Sequence, residues 1–150
     1  MIEIEQENEM FLFENGCFYM DDCSFILPDG FYLEQGDSFN KSIQAKTPDK
    51  KATIIWQVTD SEREIGAGLE MFLRSEPELS ALSEVMPLTV NNLSGYQVYC
   101  KAEVTEIYEA RFSLKKDRVL TFIVESSEQD IFDLVATPII QRALNGLFAV

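Results

Sequence analysis

From Gly95 onward apolar side chains return at every second position, a period that extended backbone alone satisfies and that commits this part of the chain to strands. Tyr96, Val98, Cys100 and Ala102 fall on one face of a first strand, Tyr108, Ala110, Phe112 and Leu114 on a face of the next, and Leu120, Phe122 and Val124 on a face of the third. The intervening turns, Glu103 to Glu106 and Lys115-Lys116-Asp117-Arg118, are polar and short, so neighbouring strands are expected to run antiparallel as a meander. The opposite face is assigned Tyr99, Ile107, Val119 and Ile123 among Gln97, Lys101, Glu109, Arg111 and Thr121. Such a mixture of aromatic, β-branched and polar groups suits either a helix laid over it or a recognition surface.

The first part of the chain reads as shorter elements. Phe11-Leu12-Phe13-Glu14 and Cys17-Phe18-Tyr19-Met20 flank Asn15-Gly16, the dipeptide that most readily takes the positive φ angles of a two-residue hairpin turn. Ser24 to Leu27 runs into Pro28-Asp29-Gly30, and Phe31-Tyr32-Leu33 resumes an extended pattern beyond that reversal. Glu34 to Lys51 is polar, with Gly36, Pro48 and four lysines, and reads as an irregular connection. Ala52 to Thr59 is β-branched and aromatic almost throughout and is assigned as a central strand covered on both faces. Ser61 with Glu64 matches a capping box, and Ile65, Leu69, Phe72 and Leu73 follow at helical spacing, which predicts a helix over about 62–74. A second helical region is expected at the end, capped by Ser126 or Ser127 and again by Thr137 with Pro138 behind it, with Ile140, Ala143, Leu144 and Leu147 as its apolar stripe.

These elements imply one domain over 1–150, with 1–16 as an acidic extension carrying the first hairpin strand. The expected fold class is α+β: an antiparallel meander with two main helices packed on it. The order of a Leu27-Pro28-Asp29-Gly30-Phe31 turn, strand, capped helix, Gly95-Tyr96 opening, three-strand meander and terminal helix resembles the PsbP-like fold shared with DcrB-like domains, over about residues 17–148. The resemblance implies a PsbP-like α/β sandwich and a non-enzymatic binding module. The group includes photosystem extrinsic subunits, bacterial lipoproteins and small acidic cytosolic chaperones for secreted effectors. It offers no catalytic residues to carry over.

The chemistry available is narrow. The chain has no histidine, so Ser-His, Cys-His and His-metal arrangements are excluded. Twenty-six carboxylates against twelve cationic side chains give a net charge of −14, which repels nucleic acid phosphate and anionic lipid and attracts a basic partner. Cys17, Cys23 and Cys100 have no metal-ligand spacing and read as reduced thiols. Gly66 and Gly68 lack the third glycine of a nucleotide loop. Asp21, Asp22, Asp29 and Asp37 are candidates for a carboxylate pair only by nearness in sequence.

The expected function is a non-catalytic protein-binding module, most concretely a small acidic cytoplasmic chaperone or adaptor for a secreted or toxic protein. Its partner would be basic or carry an apolar segment, with no nucleic acid, membrane or cofactor. Partner contacts are assigned to Tyr99, Ile107, Val119, Ile123, Phe11 and Phe13. The alternatives are a hydrolase using carboxylates or a divalent metal, an immunity protein that blocks a basic toxin, and a structural subunit that self-associates, for instance as a homodimer, through the Phe11-Leu12-Phe13 edge.

Overall fold

The computed structural model describes residues 2–3, 11–14, 17–20, 23–27, 30–37, 42–49, 51–60, 64–103, 105–126 and 144–149. Its larger sheet is built on β5 (Tyr32–Asp37), β6 (Ser42–Lys46), β7 (Ala52–Asp60), β12 (Arg118–Ser126), β11 (Thr105–Leu114) and β10 (Leu93–Ala102), in that spatial order. Along the far edge of β10 lie β9 (Met86–Val90), beside its first half, and β8 (Leu79–Ala81), beside its end. The smaller sheet orders β1 (Ile2–Glu3), β2 (Phe11–Glu14), β3 (Cys17–Met20), β4 (Cys23–Ile26) and β13 (Phe148–Ala149). Every described strand pairing is antiparallel.

The two sheets share one core. Ile54, Trp56, Phe112, Leu120 and Phe122 of the large sheet pack in one cluster with Phe25 of β4 and with Leu144 and Leu147, which lead into β13. The Phe25 ring stacks on the Trp56 indole with centroids 4.5 Å apart and planes inclined by 14°. Burying side chains of this size contributes about 1.5–3 kcal/mol apiece, so this cluster is the main tie between the layers. Asn91 adds a polar tie by donating from Nδ2 to the carbonyls of Asn145 and Leu147, at 3.2 and 2.7 Å.

The meander forms as its periodicity predicts, and β2 and β3 pair with Glu14 opposite Cys17, the register that a two-residue turn requires. Asn15 and Gly16 themselves lie outside the described residues. The α+β expectation with two main helices needs correction. Among the described residues α1 (Ile65–Ser75) is the one α-helix with both ends placed, Leu144 and Asn145 being helical as well, and the body is predominantly antiparallel sheet. Most of the expected terminal helical region falls on 127–143, outside the described residues, and Leu147 onward runs into β13 rather than continuing a helical stripe.

Two further expectations change. The stretch assigned to an irregular connection holds β5 and β6, paired as a hairpin with a register shift between Leu33 and Gln35. Only Ile43 and Ala45 of β6 are buried, while Ser42, Gln44 and Lys46 point to the other side, so the apolar signal was two residues long. The helix starts later than the capping box implied: Glu64 is itself the N-cap, accepting from Gly66 N and Ala67 N at 2.9 Å each. An acidic side chain there satisfies two of the unpaired first-turn amides and complements the helix dipole.

Candidate functional site

The meander's faces are set by its two turns. Ala102 pairs with Thr105 across a two-residue turn, which couples positions of opposite parity, whereas Leu114 pairs with Arg118 across three residues, which couples positions of like parity. Tyr96, Val98 and Cys100 therefore lie beside Arg111, Glu109 and Ile107, on the side away from the shared core. Tyr99 goes to the opposite side and packs against Tyr108, with ring centroids 4.9 Å apart. The expected recognition patch is thus split: Ile107, Val119 and Ile123 share the outer face, and Tyr99 joins the core side. Phe11 and Phe13 lie elsewhere again, on β2, an inner strand paired with β1 at Leu12 and Phe13 and with β3 along its length.

Helix α1 lies over the β10 side of the outer face, against β10, β11 and β8. Leu69, Val98, Cys100 and Val119 are buried on this side of the sheet. Arg111 holds helix and sheet together. Its Nε donates to Glu109 Oε2 at 2.7 Å, and its guanidinium carbon stands 5.6 Å from the centroid of the Phe72 ring on α1. Glu109 is only 3% exposed, so this charge-assisted bond is what makes its burial tolerable. A Cβ at Gly68 would stand 3.5 Å from Arg111 Nη1, an ordinary contact, so the arrangement does not require glycine there.

Where the N-terminal half of α1 meets the sheet, two adjoining hollows form a cleft. The first, about 750 Å³, is walled by Pro87 and Thr89 of β9, Ser94 and Tyr96 of β10, and Asp117 and Arg118 at the turn into β12. The second, about 600 Å³, runs on between α1 and the sheet past Gln57, Asp60, Met71, Arg111, Thr121 and Ile123. Glu64, Ile65 and Val119 line both, so the two hollows adjoin at the start of the helix. Hydrogen bonds from Ala67 N and Gly66 N, joined by the Tyr96 side chain, hold the Glu64 carboxyl below its usual pKa. A charge is therefore kept at the middle of the cleft.

A second group of titratable residues sits behind it on the same face. Glu125 stands opposite Ile107, which stands opposite Cys100. Burial, and after it the charge of Glu109, raises the Glu125 carboxyl, while Lys46 opposes the shift. Burial also pushes the Cys100 thiol up to about 11, with Glu109 and Glu125 adding to the effect, so it is neither a ready nucleophile nor a metal ligand at neutral pH. The acids that approach one another are thus Glu109 and Glu125, and Glu109 is committed to Arg111. Asp21, Asp22 and Asp29 lie outside the described residues, as do the side chains of Asp37, Cys17 and Cys23. Among the described residues no three His, Cys, Asp or Glu side chains gather as a metal site, and no helix is long and apolar enough to cross a membrane.

Of the cleft residues, sequence reasoning singled out Val119 and Ile123 as partner contacts and missed Glu64, Tyr96, Met71 and Arg111 in that role. The available signal was Gly95. A Cβ there would fall 1.9 Å from the Arg111 carbonyl oxygen, so a glycine interrupting an alternating strand marked a close backbone approach beside the cleft.

The large antiparallel sheet, with a helix on one face and a small sheet on the other, has the overall fold of PsbP-like proteins. Two solved structures carry the likeness. LpqN of Mycobacterium tuberculosis, described as involved in cell envelope biogenesis, is 12% identical with a TM-score of 0.66, covering 85% of this chain and 83% of that one. CyanoP, the cyanobacterial PsbP of Synechocystis sp. PCC 6803, is 7% identical with a TM-score of 0.63, covering 93% and 91%. At such identities the shared property is the fold. No protein-family model matches the sequence, and no curated protein matches it.

Proposed function

We propose that the chain is a non-catalytic protein-binding module, and that its cleft at the start of α1 is where a partner protein sits. The most concrete form is a chaperone or adaptor that holds a secreted or toxic protein in the cytoplasm. The observation that carries this reading is Met71, a long apolar side chain 49% exposed on α1 at the rim of a cleft whose floor includes Ile123 and Val119. Flexible thioethers adapt to varied apolar surfaces, and a floor of β-branched residues among hydroxyls and amides buries area at small entropic cost. The PsbP-like fold is compatible with such a role without specifying it.

The test places a photo-crosslinking amino acid at Met71 and, as a control, at exposed Asp49, in cells that normally make the protein. One partner captured in near-stoichiometric yield from position 71 alone, and absent from a Met71→Glu co-purification, is the expected result. Equal capture from both positions, or unchanged co-purification with Met71→Glu, removes the reading.

A further inference from the structure

Resting on that reading, we infer that the occupant of the cleft is an extended, cationic segment of the partner, about six residues long, lying across the strands. The length follows from the walls. The cleft reaches from Pro87 and Thr89 on β9, past β10, β11 and β12, to Gln57 and Asp60 on β7. That is four inter-strand steps, or about 19 Å at about 4.8 Å each, which an extended peptide covers with about six residues. The two hollows adjoin at Glu64, Ile65 and Val119, so one chain can run from one to the other.

The charge follows from the carboxylates in the lining. Asp60 and Asp117 both neighbour Arg118, Asp60 across the β7–β12 ladder and Asp117 along the chain, while Glu64 lies at the start of α1 and Glu109 in the floor. Against these four stand Arg111 and Arg118, and Arg111 is already bonded to Glu109. The lining therefore carries two more negative than positive groups, within a molecule of net charge −14. The helix amides stabilise the charged form of Glu64 and lower its pKa. An incoming lysine or arginine meets Glu64 or the neighbouring Asp60 and Asp117, while its apolar neighbours face Met71, Ile65 and Ile123. Such complementarity acts on association rate and on the choice between partners more than on total affinity.

Fluorescence anisotropy with three labelled hexapeptides, (Lys-Leu)₃, (Gln-Leu)₃ and (Glu-Leu)₃, tests this on the intact chain. The lysine peptide is expected to bind about tenfold more tightly than the glutamate peptide in dilute buffer, with the difference shrinking as salt rises. The Asp60→Asn/Asp117→Asn double variant is expected to lose several-fold of the lysine preference while keeping its thermal melt. Asn tolerates the positive φ of 55° at position 117, so this variant does not strain the turn. Equal binding of the three peptides, or an unchanged preference in the double variant, overturns the inference. If partner capture from Met71 succeeds while the peptides show no charge preference, this inference fails alone; if that capture fails too, the protein-binding reading falls with it.

Discussion

Glu125 and Glu64 are two carboxylates that this fold treats in opposite ways. Glu125 is half-buried between Thr53 and Ile107, and burial, then Glu109, raises its pKa. The folded state therefore holds the proton more tightly than the unfolded chain, whose carboxyl titrates near about 4.3. Charging this group costs stability as pH rises from the unfolded value through the folded one, and above that window the whole cost is present. Glu125→Gln is expected to raise Tm at pH 7, with the gain vanishing as melts are taken down to about pH 4. A gain of the same size at both pH values would contradict the assignment. Glu64 has the other sign. Its amide hydrogen bonds lower its pKa, so its contribution is present above the unfolded value and fades as pH falls through the folded one. Glu64→Ala is expected to weaken the start of α1, read as a smaller far-ultraviolet helical signal and a lower Tm at pH 7. Wild type and variant should converge in acid.

At the level of elements, β10 depends on one backbone contact. A methyl group at Gly95 would lie 1.9 Å from the Arg111 carbonyl oxygen and 2.9 Å from the Phe112 Cα, and these neighbours are backbone with little freedom to give. Gly95→Ala is expected to destabilise the chain by about 3 kcal/mol, measured by urea denaturation, because the β10–β11 ladder must open to accept it. A loss under about 0.5 kcal/mol would mean that the strands can part there at no cost. The same ladder shows what was legible in the sequence. Strands β10 to β12 were, because each alternates over nine or ten residues. The faces were not, because one turn has two residues and the other three, and that one-residue difference moves Tyr99 to the core and Tyr96 to the cleft. Strands β6, β8 and β9 escaped notice because they are short and carry few buried residues, β5 was foreseen only at its start, Tyr32 and Leu33, and β9 contains Pro87, which fits an edge better than a sheet interior. Glu64 was recognised as a cap signal but given the wrong position, since Ser61 offered an equally good start by pattern.

Across the whole molecule, the shared core and the cleft lie on opposite faces of the large sheet. One face is closed by the small sheet through Phe25 on Trp56, and the other carries the cleft. The cleft could not be read from sequence because its lining comes from β7, α1, β9, β10, β11 and β12, brought together only by strand order. The core was easier to foresee, since aromatic residues gather where an interior must be filled. This division predicts that loosening the small sheet harms stability first. Trp56 is the chain's single tryptophan, is fully buried and touches Phe25, so its fluorescence reports directly on whether the layers are joined. Phe25→Ala removes the stacked ring and leaves a cavity, at a cost of about 3–5 kcal/mol. If the sheets form one cooperative unit, urea transitions followed by tryptophan emission and by far-ultraviolet dichroism should coincide in wild type, and in the variant both should move together to lower urea. A variant whose emission shifts to the red while its dichroism transition stays in place would show instead that the small sheet detaches independently, and that the large sheet keeps its stability without that cover.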